Sequence, residues 1–171
     1  MNFIATTHRR GERQATSELY AILMELGDES PKLQITEVSG VILGHTLLDP
    51  IEVSRKLREM AMKDPWSVRH VLRFIPMEME CNADLDSIES TAKELVGKIE
   101  EGSSFKVVVE KRHSDLSSRE VIRRVAELVE RKVDLENPDW IVLVEIVGSW
   151  AGVAVIRPND IFRNLEAKLS G

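Results

Sequence analysis

The chain has 171 residues, a formal net charge of -6, 43% hydrophobic and 30% charged residues, as expected of a soluble globular protein of one domain or two small ones. No apolar run approaches the roughly 18 residues a membrane span needs, and the N-terminus MNFIATTHRRGERQATSEL lacks the basic-then-apolar layout of a secretory signal. A single cysteine, Cys81, excludes an intramolecular disulfide and points to a reducing, cytoplasmic setting.

In chain order, Phe3 to Thr6 reads as a short strand. Ala15, Leu19, Ile22, Leu23 and Leu26 then repeat at helical spacing, and Gly27 stands where that helix stops. Leu33 to Val38 and Val41 to Leu47 read as strands joined at Ser39-Gly40. Asp49 and Pro50 open a second helix, Asp49 as cap, Pro50 in the first turn and Glu52 completing a capping box. Val53, Leu57, Met60 and Ala61 form its apolar stripe, and Val68 to Ile75 returns as a strand. This β-α-β-β-α-β order is the split arrangement of a ferredoxin-like fold.

The second half predicts α-β-α-β-β. Asp86 and Glu89 form the capping pair of a helix that buries Ile88, Ala92, Leu95, Val96 and Ile99 and stops at Gly102. Phe105 to Val109 is a β-branched strand. Ser117 and Glu120 open the next helix, with Val121, Val125, Leu128 and Val129 on one side. Asn137-Pro138-Asp139 marks a turn. Trp140 to Val147 and Gly152 to Ile156 are two apolar strands around Gly148-Ser149-Trp150-Ala151, followed by a polar tail with one further helical turn after Asp160. The expected architecture is α+β, with a ferredoxin-like domain over residues 1–78 and an α/β domain over residues 79–171.

Charge is unevenly distributed. Glu78 to Glu101 holds eight acids against Lys93 and Lys98, which accounts for the whole net charge. The stretch KRHSDLSSREVIRRV carries Lys111, Arg112, Arg119, Arg123, Arg124 and His113 against Asp115 and Glu120. Arg119 and Arg123 are four apart and share a helix face. Strand end, loop and the helix start at Ser117 converge here, so free backbone N–H groups and the positive helix end join the side chains. That combination is a candidate phosphate cradle. A second cluster, His8, Arg9, Arg10 and Arg13, follows the first strand.

Catalytic patterns are missing. GSWAG places Trp150 where a nucleophile elbow needs serine, and neither glycine-rich phosphate loop occurs. The four histidines stand apart, with no cysteine pair for zinc. Cys81 lies among acids that raise a thiol pKa. No catalytic residue, cofactor or metal is expected. The few aromatics argue for backbone and shape recognition over base reading, though Trp150 at a hairpin tip could stack on a base or fold over the sheet.

The segments FKVVVEKRHSDLSSREVIRRVAELV and VDLENPDWIVLVEIVGSWAGVAVI resemble the core of the THUMP domain, an RNA-binding module named from thiouridine synthases, RNA methyltransferases and pseudouridine synthases. FIATTHRRGERQATSEL, VSGVILGHT and VRHVLRFIPMEMECNADLDSI are similar to the ferredoxin-like domain that precedes it. The pairing resembles small stand-alone THUMP proteins that assist RNA acetyltransferases in forming N4-acetylcytidine in tRNA. The resemblance implies a non-catalytic adaptor that holds the tRNA acceptor end for a separate enzyme. RNA contacts would come from Lys111, Arg112, His113, Ser117, Arg119, Arg123 and Arg124, with Arg9 and Arg10 from the first domain. The chain stops about fifteen residues after its last predicted strand, which leaves no room for an appended catalytic domain and implies a partner in trans. The alternative expectation is a small-molecule-sensing regulatory module, which the same fold also supports. An enzyme, such as an acetyltransferase itself, is disfavoured for want of a CoA-type glycine loop.

Overall fold

A computed structural model describes residues 1–170. The architecture is α+β, two five-stranded sheets with helices. The chain divides into two compact units, Met1–Met77 with the segment from Asn159 onward, and Glu78–Pro158.

The first unit begins β1 (Phe3–Thr6), α1 (Glu12–Glu25), β2 (Lys32–Ile35), β3 (Val41–His45), α2 (Pro50–Lys63) and β4 (Arg73–Pro76). Its sheet runs β4-β1-β3-β2, antiparallel throughout. Strand alternation sends Phe3, Ala5, Ile42 and Phe74 to the helical side, where α1 contributes Ala15, Leu19, Ile22 and Leu23 and α2 contributes Val53, Leu57 and Ala61. Each large side chain buried there contributes ~1.5–3 kcal/mol. Phe3 and Phe74 stack with centroids 4.6 Å apart. A Cβ at Gly44 would lie 2.0 Å from Phe3 Cζ, so only glycine lets the Phe3 ring cross β3. Asp49 caps α2 by accepting the Ile51 N–H at 3.0 Å. The predicted strand from Val68 shortens to β4, because the N–H groups of Arg69, His70 and Val71 donate to the Glu18 carboxylate instead of to a strand.

The second unit comprises β5 (Met79–Asn82), α3 (Leu85–Leu95), β6 (Ser104–Arg112), α4 (Ser118–Ala126), β7 (Lys132–Val133), β8 (Trp140–Val147) and β9 (Trp150–Ile156). Its sheet order is β5-β9-β8-β6-β7. β6 and β8 run parallel in register from Phe105 opposite Trp140 to Arg112 opposite Val147. One face carries Val142, Val144, Ile146, Val153 and Val155 against Ile88 and Ala92 of α3 and Val121 and Val125 of α4. Gly148, at φ +60, takes the first central position of the two-residue β8–β9 turn, where a II′ hairpin requires glycine. The α3 cap is Asp84, not Asp86 with Glu89. Asp84 is extended and accepts the Ser87 N–H at 2.7 Å, so the helix starts two residues earlier than its sequence signature.

The tail departs from the expected division. After Pro158 the chain returns to the first unit instead of remaining with the second. β10 (Phe162–Arg163) pairs with β4, placing Phe162 opposite Phe74, and α5 (Asn164–Ser170) packs on α2. The buried Asn164 amide fixes the return, donating to the Val68 and Val71 carbonyls at 3.0 and 2.8 Å.

Candidate nucleic-acid interface

β6 ends at Arg112, His113 turns the chain with a left-handed φ of 54, and α4 starts at Ser118. Ser117 is extended, and its hydroxyl accepts the Glu120 N–H at 3.2 Å, as the sequence pattern predicts. The first two helical N–H groups, of Ser118 and Arg119, remain directed out of the helix end. Lys111 spans the loop, its Nζ donating to the Leu116 carbonyl at 2.6 Å. His113 and Arg119 are exposed, with no hydrogen bond or ion pair among the described residues.

The remaining cations do not join them on one free corner. Alternation along β6 turns Lys111 and Arg112 to opposite sheet faces. Arg112 lies 2.7 Å from Glu145 and 2.9 Å from Glu110. Arg124 points to the neighbouring helix, 2.9 Å from Asp86 and 3.2 Å from Glu89. Arg123 stays on the outer face but is held by Glu120 and, at 2.9 Å, by Glu127. The Glu120 carboxyl is held below its ordinary value chiefly by the Arg123 hydrogen bond. The sequence excess of arginine over acid is therefore largely cancelled in space, by carboxylates from α3, β8 and α4 itself. Of the partner acids, Glu110, Glu120 and Glu127 stand at local spacing from their arginines, whereas Asp86, Glu89 and Glu145 come from distant segments. Lys111, His113 and Arg119, beside the helix start, have no carboxylate partner among the described residues.

In the first unit, Arg9 and Arg10 are exposed on the turn between β1 and α1, Arg10 with a φ of 68. Neither side chain has a hydrogen bond or ion pair among the described residues.

Trp150 is half-buried, and its Nε1 donates to Glu80 at 2.8 Å. It borders an open cleft of about 770 Å³, whose other walls include Asn82, Ser87, Thr91 and Ser149. Cys81 sits on the same cleft. Burial pushes its thiol pKa up, Thr91 opposes this, and Asp84 adds to it. Among the described residues no group of three or more His, Cys, Asp or Glu could hold a metal ion, and no helix is long and apolar enough to cross a membrane.

Residues 82–156, from the end of β5 to the end of β9, match the THUMP domain family model. THUMP domain-containing protein 1 of Homo sapiens is 30% identical over 116 residues, covering 63% of this chain and 33% of that protein. The chain spans about a third of the length of the curated relatives it matches. A crystal structure of a Pyrococcus horikoshii protein superposes with a TM-score of 0.70 at 22% identity, over 92% of this chain and 55% of that one. A 4-thiouridine synthetase in complex with RNA and ATP gives 0.59 at 16%, over 95% and 42%. At these identities the structural likeness establishes the fold.

Proposed function

We propose that the chain is a non-catalytic RNA-binding adaptor, which holds tRNA by its acceptor-end region and presents it to a separate modifying enzyme in the cytoplasm. The RNA acetyltransferase that forms N4-acetylcytidine is the partner we favour. The carrying observation is the THUMP match over residues 82–156, within which a strand end, a left-handed turn and a capped helix start bring Lys111, His113 and Arg119 together. We read the first unit, with its β4-β1-β3-β2 order, as ferredoxin-like, supplying Arg9 and Arg10.

Phosphate oxygens would bind the α4 N–H groups, where the helix dipole favours negative charge, and the Lys111 and Arg119 side chains. Arg112, Arg123 and Arg124 contribute mainly through their carboxylate pairs, because an RNA phosphate would have to displace an acid from each. The test is recovery of the tagged full chain from cells, with bound RNA sequenced and bound proteins identified by mass spectrometry. The expected result is tRNA together with a tRNA-modifying enzyme. Absence of tRNA overturns the binding role. Acetylated tRNA formed by the purified chain with acetyl-CoA and ATP alone overturns the non-catalytic one.

A second reading, a small-molecule-sensing regulatory module, is favoured by the polar cleft beside Trp150. Thermal stabilisation by a metabolite with none by tRNA would select it.

A further inference from the structure

Trp66 is unlike the other two tryptophans. Trp140 and Trp150 are half-buried, and their Nε1 groups donate to Glu100 and Glu80. Trp66 is 74% exposed, and its Nε1 has no partner among the described residues. The loop beneath it is firmly held. Asp64 accepts the Trp66 N–H at 3.0 Å, and the Ser67 hydroxyl donates to the Met60 and Asp64 carbonyls at 2.9 and 2.7 Å. Beyond it, Glu18 of α1 accepts three consecutive N–H groups, from Arg69, His70 and Val71, at 2.8–3.0 Å. The Arg69 guanidinium lies over the Trp66 ring, 5.6 Å from its centroid. A large indole is thus presented to solvent on a braced loop with a cation on one face.

Its surroundings are basic. β1 leaves the sheet at Thr6, directly opposite Arg73, where β4 enters. His8 to Arg10 and the Trp66 loop therefore lie at one end of the same sheet, with Arg13 in the first turn of α1 and Lys63 in the last turn of α2. The side chains of Arg9, Arg10, Arg13 and Lys63 have no hydrogen bond or ion pair among the described residues. Of the acids at this end, Glu12, Glu18 and Asp64 accept backbone N–H groups and Glu37 is exposed on the β2–β3 turn. Positive charge is free here, where at α4 it is mostly paired.

We propose that Trp66, backed by Arg69, is a stacking platform for an unpaired nucleobase, whose flanking phosphates are held by Arg9, Arg10, Arg13 and Lys63. A base inside a duplex has no free face to offer, so the platform selects single-stranded nucleotides. This deepens the RNA-binding reading and rests on it. The free cations favour RNA over a protein partner as the occupant.

The test uses the full chain, a labelled RNA hairpin with a single-stranded extension, and the same hairpin blunt-ended. Trp66→Ala weakens binding of the extended hairpin about ten-fold or more and leaves the blunt one within about two-fold. Trp66→Phe keeps a stacking ring and most of the affinity, but removes the tryptophan quenching that the extended RNA causes in the wild type. If the wild type binds RNA and Trp66→Ala binds the extended hairpin as tightly as the wild type does, the platform is wrong and the RNA-binding reading stands. If the wild type binds neither hairpin, both fall. If Trp66→Ala changes self-association and not RNA affinity, the indole docks protein and the proposal is overturned.

Discussion

Arg112 and Glu145, on the adjacent parallel strands β6 and β8, meet at 2.7 Å with Glu145 only 1% exposed and Arg112 18%. Glu110 joins them at 2.9 Å. A carboxylate withdrawn from water this far is stable only with compensating charge and hydrogen bonds. Arg112→Ala removes the guanidinium that supplies both, and is expected to cost about 3 kcal/mol in denaturant unfolding. Arg119→Ala, on the exposed face of α4, should stay within about 0.5 kcal/mol of wild type. Equal stability of the two variants would show that Arg112 is not a structural residue.

Gly44 tests the packing of the first unit. A methyl group there would sit 2.0 Å from Phe3 Cζ, and Phe3 is pinned by its stack on Phe74. Gly44→Ala should destabilise the protein by about 2 kcal/mol or more, through displacement of the ring. Gly97→Ala, with open space at the Cβ position, serves as the control. A Gly44→Ala protein with an unshifted unfolding midpoint would contradict the Phe3 placement.

Asp28 gives a pH dependence. Burial pushes its carboxyl up, but the Thr46 hydroxyl at 2.7 Å and the Ser30 and Leu47 N–H groups at 3.0 and 3.1 Å outweigh that and hold its pKa below the ordinary value. A depressed folded pKa stabilises the protein at every pH above the unfolded value, near pH 4, and the contribution is lost as pH falls through the folded value. Asp28→Asn should be less stable at neutral pH and should show a shallower loss below about pH 4. Urea midpoints measured across that range test this, and parallel wild-type and variant curves would contradict it.

The elements were legible where periodicity and caps agree within one segment. Ser117 caps α4 as its pattern requires, and the apolar stripes of α1, α2 and α4 face the cores that their spacing marks. What the sequence hid is long-range. Nothing near Val68 signals that Glu18, some fifty residues earlier, takes the amides a strand would have used. The polar tail gave no sign that Phe162 would pair opposite Phe74 and carry the chain back to the first unit.

The candidate site was legible as a location more than as a set of side chains. The capped helix start lies where the sequence puts it, but β6 runs on past Val109 to Arg112, which takes Lys111 and Arg112 into the strand and onto opposite faces. The states of Arg112 and Arg124 were not readable, because their partner acids come from elsewhere: Glu145 from β8 for the first, and Asp86 and Glu89 from α3 for the second. Counting Lys and Arg along one segment records charge in the chain and misses cancellation in space. The 74% exposure of Trp66 and its contact with Arg69 depend on how the loop is braced, again by the distant Glu18.

The most direct measurement is tRNA affinity of the full chain as a function of salt, for wild type and the Lys111→Ala/Arg119→Ala double variant. The account predicts log–log slopes that differ by roughly one unit per lost phosphate contact, and weaker binding by the double variant at low salt with unchanged thermal stability. Identical affinities and slopes would contradict the claim that the start of α4 grips RNA phosphates.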